Sequence, residues 1–433
     1  MRFKYILTGI LSFVIVQIAC AQADNATRKS LAKNNLPAPH ATKSSRNFSN
    51  VIGWEKDAKP VAPAGFVVTR YADGFENPRW LYELPGGDIL VAESNTYHPW
   101  YEQIGGWIIG ANKSNNLKHS ADRITLLRDA DHNGIPELRT TFLVKLDLPF
   151  GMLVLGDWFY VANTDGLWRY PYSRGQTTIT GKGHKLVDLP AGKHNRHWTR
   201  NIISNADGSK IYIAVGSGTN VAEKGIANEL MRAAILEVNP DGTGLRVYAG
   251  GLRNPVGMAW NPDDHQTLWT VVNERDLLGD DLVPDYFTHV QRNGFYGWPY
   301  RYHGSYIDER VKDPAPAEAE HAIVPDVDLA AHSASLGLTF YTAKVFPERY
   351  RGGAFIAQHG SWNRSILSGY RVIFIPFKDG KPDGPPEDFL SGFIVDLDKE
   401  KVHGRPVGVL MQSDGSLLVT DDVTNIVWRV TAR

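Results

Sequence analysis

A degenerate repeat runs through the chain and limits what it can fold into. Its unit is a short apolar run, a turn carrying Asp, Gly or Asn, and a stronger apolar run ending in small or acidic residues. The unit occurs at Arg79–Ser94, Gly151–Ser173, Asn201–Ser217, Gly257–Glu274 and Val407–Asp422. Helical periodicity is scarce, whereas short apolar runs bounded by turn residues mark strands. Entry points lie near Asn77, Leu148, His197, Arg253, Leu336 and Arg405, unevenly spaced, so insertions of different length separate the units. A sheet of about four strands repeated radially is a β-propeller. The pattern therefore predicts an all-β chain: a six-bladed β-propeller with long top-face loops. Gly65–Phe75 precedes the first full unit, and we expect it to pair with the C-terminal strand and close the ring, which protects strand edges. The main insertions are Asn95–Asp122, Asn273–Pro299 and Tyr300–Ser335, the natural places for binding groups.

The N-terminal residues read as an export signal. Arg2 and Lys4 precede a mostly apolar run from Ile6 to Ala19, and Ala21-Gln22-Ala23 fits a cleavage site. We expect residues 1–23 to be a signal peptide, 24–62 a polar, poorly ordered linker, and 63–433 one propeller domain. The apolar run is too short and interrupted for an integral membrane span. The implied location is periplasmic or secreted, with lipid attachment at Cys20 as an alternative. Cys20 is the only cysteine, so the exported domain has no disulfide and no thiol chemistry. With 46 basic and 47 acidic residues there is no excess of positive charge for nucleic-acid binding.

Four stretches carry candidate chemistry. Lys193–Asn220 holds Arg196, His197 and Arg200 ahead of a tight turn at Asn205–Gly208, and a histidine among ionisable groups suits proton transfer; His194 is the weaker candidate. Asn273–Leu282 offers Glu274, Asp276, Asp280 and Asp281, an acidic loop of the sort that supplies oxygens to calcium. Gln358–Ser365 is a dense polar cluster at a strand end. Asp129–Glu137 opens like a calcium loop with Asp129, Asp131, Asn133 and Gly134, but Thr140 stands at the twelfth position, so a hairpin turn is the preferred reading.

"HWTRNIISNADGSKIYIAVGSGTN", "GLRNPVGMAWNP", "NERDLLGDD", "NGFYGWPY" and "GRPVGV…SDGSLLVTDD" resemble, in order and over roughly Pro63 to the C-terminus, the quinoprotein sugar dehydrogenases. The likeness is to the branch of sorbosone and pyranose dehydrogenases. It implies a six-bladed propeller that binds pyrroloquinoline quinone (PQQ) with Ca2+ and oxidises a sugar. It implies His197 as catalytic base, three residues before Arg200; the glucose-oxidising branch has it four before, where this chain has Arg196. The quinone is a tri-acid, and planar guanidinium groups suit carboxylates. Arg79, Arg200, Arg253, Asn254, His359, Asn363 and Arg364 are thus the expected cofactor contacts, with Trp362 stacked on the ring system. The expected metal residues are Glu274, Arg275, Asp276 and Asp280, partly through main-chain oxygens. No haem-attachment cysteine motif is present, so an external electron acceptor must reoxidise the quinone. Two other classes remain open at this level: a non-redox propeller binding a carbohydrate or protein, and a Ca2+-dependent lactonase-like hydrolase.

Overall fold

Strands dominate, in lengths of two to eight residues. The computed structural model describes residues 36–433 except 97–105, 107–109, 116, 118 and 193. The signal segment 1–23, Cys20, linker residues 24–35 and part of the Asn95–Asp122 insertion lie outside the described residues. Pro39–Arg433 is one unit.

Six four-stranded antiparallel sheets follow one another along the chain. Their first strands are Pro78–Glu83, Met152–Leu155, Ile202–Ser204, Pro255–Trp260, Ser335–Phe340 and Pro406–Met411. Each of the first five sheets adds its next strands in sequence order. The sixth takes its outermost strand from the other end of the chain: Phe66–Asp73 pairs antiparallel with Ile426–Ala432. This is the pairing with the C-terminal strand expected for Gly65–Phe75. The second strands, such as Ile89–Glu93, Ile211–Val215 and Leu268–Val272, are buried throughout. They read as continuous apolar runs because a sheet packs on each of their faces.

Successive sheets meet through their first strands, and the sixth returns to the first. The approach there is too close for side chains. A Cβ on Gly257 would lie 2.6 Å from Leu336 O of the fifth sheet, and one on Gly408 would lie 2.9 Å from Arg79 O of the first. Trp80, Phe150, Trp198, Val256, Leu336 and Val407, one from each sheet or the segment leading into it, form a single buried cluster. Six strand starts therefore converge on one apolar plug. In an antiparallel sheet, the start of the first strand and the end of the second lie at the same end. Loops entering first strands and leaving second strands are thus gathered above this plug, whatever their separation in sequence.

The segment expected as a poorly ordered linker differs from that expectation where it is described. Asn50–Val51 pairs parallel with Lys401–Val402. Asn47 N donates to Trp362 O at 2.8 Å, His40 N to Leu278 O at 2.7 Å, and Trp54 Nε1 to Asp421 Oδ2 at 2.8 Å. Its partners are mainly backbone groups, so its polar composition carried no trace of the docking.

Candidate active site

His197 enters from the loop before the third sheet and is half-buried. Its Nδ1 lies 2.9 Å from Ser217 O and 3.0 Å from Ser217 Oγ. A carbonyl can only accept, so Nδ1 carries the proton. The Ser217 hydroxyl donates to Thr219 O at 2.7 Å, which leaves its oxygen free to accept from Nδ1 as well. Nε2 then holds a lone pair, and no described residue donates to it. Burial, Arg253 and Arg196 together push the imidazole well below its ordinary pKa, so the ring is neutral at neutral pH. Gly216 keeps this corner tight: a Cβ there would fall 2.3 Å from Asn254 Oδ1 and 2.5 Å from His197 Cβ.

Arg253 precedes the fourth sheet and is buried. Its guanidinium donates to Asn220 O, Asn220 Oδ1 at 2.8 Å, Asp276 Oδ2 at 2.9 Å and the carbonyls of Asn273 and Glu274. Asp276 also accepts from Asn363 Nδ2 at 2.7 Å, and Asn363 reaches His332 Nδ1 at 3.2 Å. Burial raises the Asp276 carboxyl, but Arg253 and His332 outweigh it and hold the group below the usual carboxylate range. Beside this lies a second group. His359 Nε2 donates to Asp422 at 2.9 Å, and Arg79 is paired with the same carboxylate. Burial and Arg405 lower His359 to about 4. Arg79 also stands over the Trp198 ring, next in sequence to His197, at 5.6 Å.

His197, Arg253, Asn254, Asn363, His359 and Arg79 are therefore brought to one end of the sheets. Arg200 is not among them. It is 0% exposed, and its guanidinium donates to the carbonyls of His197, Thr199 and Pro190 and to Asn195 Oδ1. It braces the loop that carries His197 through Nη1 and Nη2, and only its buried Nε is without a partner. Arg364 stands at the edge, bound to Asp281 at 2.5 Å. Trp362 is stacked with Phe48 at 5.9 Å and has Arg196 over its ring, so its contacts are with the protein.

The expected metal loop is spent internally. Arg275 is 0% exposed and bonds Glu274, Asp308 and the carbonyls of Pro299 and Arg301. Asp280 accepts from the Ser365 N–H and hydroxyl. Asp276 O accepts from Asn220 Nδ2 and Arg310. Each of the three carboxylates already has protein donors. The acidic group that does draw together among the described residues is Asp129, Asp131 and Glu137. It joins a third strand to a fourth, at the other end of the sheet from His197.

A family profile described as TrAA12-like matches residues 117–286 and 307–433, more than half of the chain. The chain belongs to the TrAA12-like family. An uncharacterized protein of Borreliella burgdorferi is 30% identical over 302 residues, 67% of this chain and 77% of that protein. Among solved structures, the calcium structure of the Trichoderma reesei Carbohydrate-Active Enzymes Family AA12 protein covers 93% of this TrAA12-like chain and 100% of its own at 18% identity, with a TM-score of 0.69. The holo form of the pyranose dehydrogenase PQQ domain from Coprinopsis cinerea covers 89% and 100% at 20% identity, with a TM-score of 0.66. At these identities the likeness is one of fold, and it agrees with the resemblance drawn from the motifs.

Three residues of this TrAA12-like cluster were not among the expected site residues: Asp422, His332 and Arg405. Asp422 had a signal. It lies just beyond the end of a second strand, the repeat position that also delivers Ser217, Glu274 and His359. Arg405 had one too, since it opens the sixth unit as Arg253 opens the fourth; nothing in the sequence distinguishes His332 from other loop residues.

Proposed function

We propose that the six sheets are the blades of a six-bladed β-propeller and that the protein oxidises an aldose, or a sugar-derived aldehyde or hydroxyl, with His197 as base. The observation that carries this is the fixed tautomer of His197: a neutral ring, held by Ser217 O, with Nε2 uncommitted beside Arg253 and Asn254. A substrate hydroxyl proton would pass to Nε2. The nearby cations disfavour the imidazolium, so the proton would leave again readily.

The residues fit a polyanionic cofactor. Arg79 Nε is a buried donor without a partner, which a carboxylate would satisfy, and an orphaned buried polar atom costs about 1–3 kcal/mol unless a ligand satisfies it. Asn254 Oδ1, a buried acceptor without a partner, needs an N–H or O–H of the ligand. Arg79, Asn254, His359 and Asn363 are the residues that would hold pyrroloquinoline quinone, which when bound supplies the hydride acceptor. Arg253, whose five N–H groups are all given to the protein, would act through its charge. An external acceptor would then take the electrons. The loop expected to hold Ca2+ does not fit as it stands, because its carboxylates are already satisfied, so no step here depends on the metal. The same saturation leaves a calcium-centred hydrolase without support. Among the described residues, no helix is long and apolar enough to cross a membrane. We extend the reading to export on the strength of residues 1–23.

The test is direct. Purified protein is titrated with the quinone while absorbance is followed, and aldoses are then assayed with an acceptor dye. We expect a spectral change on binding and turnover of at least one sugar. Absence of both would end the oxidative reading.

A further inference from the structure

The third sheet ends in an edge strand, Arg246–Gly250, and the long insertion of the fourth sheet runs along it. Gly250 N donates to Gly294 O at 2.9 Å, Tyr296 N to Gly250 O at 2.9 Å and Trp298 N to Gly251 O at 3.0 Å. Between this seam and the segment carrying Ile226 lies an open cavity of ≈ 400 Å³, within the range of small-ligand sites. Val247, Tyr248, Phe295, Trp298, Pro299 and Tyr300 line it. None of them belongs to the His197 cluster.

The walls are preformed. Trp298 is buried and donates through Nε1 to Asn220 O at 3.0 Å. Tyr248 packs edge-on against Tyr212 at 5.0 Å. The chemistry of the walls then selects a ligand class. Rings and prolines offer flat apolar faces, which suit the C–H face of a pyranose. The charged groups in the wall are already satisfied: Glu229 accepts from Gly218 N at 2.7 Å and Thr219 Oγ1 at 2.6 Å, and Arg232 donates to Asn195 Oδ1 at 2.9 Å and Ala191 O at 3.3 Å. The remaining charge is the exposed carboxylate of Glu318. The one cation among the described lining residues, Arg232, is 6% exposed and bonded to the protein, and an anionic ligand meets this carboxylate. A neutral polyol can donate to it, and to nearby main-chain carbonyls.

We propose that this cavity is a second carbohydrate site that takes a short neutral oligosaccharide, separate from the cluster around His197. It does not depend on the oxidative reading, and its test needs no turnover. Calorimetric titration of the quinone-free protein with cellotriose, maltotriose and xylotriose should give saturable binding of at least one, at millimolar or tighter affinity. Phe295→Ala should weaken it at least tenfold. Val247→Arg should do the same by filling the mouth; Val247 is 40% exposed on an edge strand, so this change is compatible with folding. His197→Ala should leave the isotherm as it is. The proposal is overturned if no trisaccharide binds, if Val247→Arg binds as the parent does, or if His197→Ala abolishes binding, which would move the ligand to the catalytic cluster. Tighter binding of trigalacturonate than of all three neutral sugars would overturn the ligand class.

Discussion

His197 and His359 are two imidazoles at the same end of the sheets, both pushed below their ordinary pKa, and they are held in opposite ways. His197 anchors its ring on a main-chain carbonyl, with cations for neighbours and no carboxylate bonded to it. His359 gives its Nε2 proton to Asp422, a carboxylate further pinned by Arg79. A lowered pKa is therefore not enough to name a base. What matters is which nitrogen remains free, and the free nitrogen follows from what the other one bonds. His197 keeps Nε2 free and the neutral His359 keeps Nδ1, so what separates them is the bonded nitrogen: that of His359 is tied to the Arg79–Asp422 ion pair, that of His197 to a main-chain carbonyl.

The comparison breaks most sharply by substitution of both rings. His197→Asn keeps a donor for Ser217 O but removes the acceptor. We expect kcat to fall roughly 10²–10⁴-fold, with the quinone titration little changed. His359→Asn should leave kcat within about tenfold and mainly weaken quinone binding. If His359→Asn cost more in kcat than His197→Asn, the assignment of the base would be reversed.

Removing an acid from the buried network tests the opposite property, dependence on pairing. Asp276→Asn leaves the Arg253 guanidinium buried without its carboxylate. Breaking such a pair from one side costs about 3–5 kcal/mol, measured as a lower denaturation midpoint, and quinone affinity should fall with it. A stability change near zero would mean that Arg253 is held by Asn220 and the carbonyls alone.

pH sharpens the contrast further. The native His197 ring stays neutral well below its ordinary pKa near 6.5, so the acid limb of kcat/KM should lie below that value. Arg196 is one of the causes and is exposed. Arg196→Gln removes a cation, so the imidazolium becomes less unfavourable and the limb should move to higher pH. The sign for stability is the same. Below about pH 6.5 the unfolded chain takes up a proton that the native ring refuses, and stability falls as pH drops through that window. A limb that stays fixed in Arg196→Gln would remove Arg196 from the electrostatics of the site.

The fold was readable because the repeat is a hydrophobic pattern, and each unit placed its own first and second strands. The convergence of His197, Arg253, Asn254, His359 and Asn363 followed from the same pattern, since all five stand at first-strand starts or just beyond second-strand ends. Arg200 misled because the sequence shows a cation without showing which way it turns; here it turns inward onto carbonyls. The acidic loop at Glu274–Asp280 misled for the related reason that its own Arg275 takes Glu274, while Arg253 and Ser365, from two other parts of the chain, bond Asp276 and Asp280. Composition cannot report pairing at that range.

The weakest expected effect concerns the segment that composition marked as a linker. Its hold is a row of backbone hydrogen bonds and two aromatic anchors, Trp54 packed among Phe393, His403 and Trp428, and Phe48 on Trp362. Stacked aromatic pairs contribute about 0.5–1.5 kcal/mol beyond burial, so Phe48→Ala should lower global stability only slightly. Local opening is a different quantity, because the cost of detaching one strap is far below that of unfolding six sheets. Limited proteolysis around Asn47–Val51 should therefore accelerate several-fold in Phe48→Ala while the thermal midpoint barely moves. Trp362 and Asn363 lie on the loop beneath the strap, so the same variant should also loosen the Asn363–Asp276 bond and raise the KM for sugar without changing kcat. Equal cleavage rates in parent and variant would show that the backbone bonds and Trp54 hold the strap without Phe48.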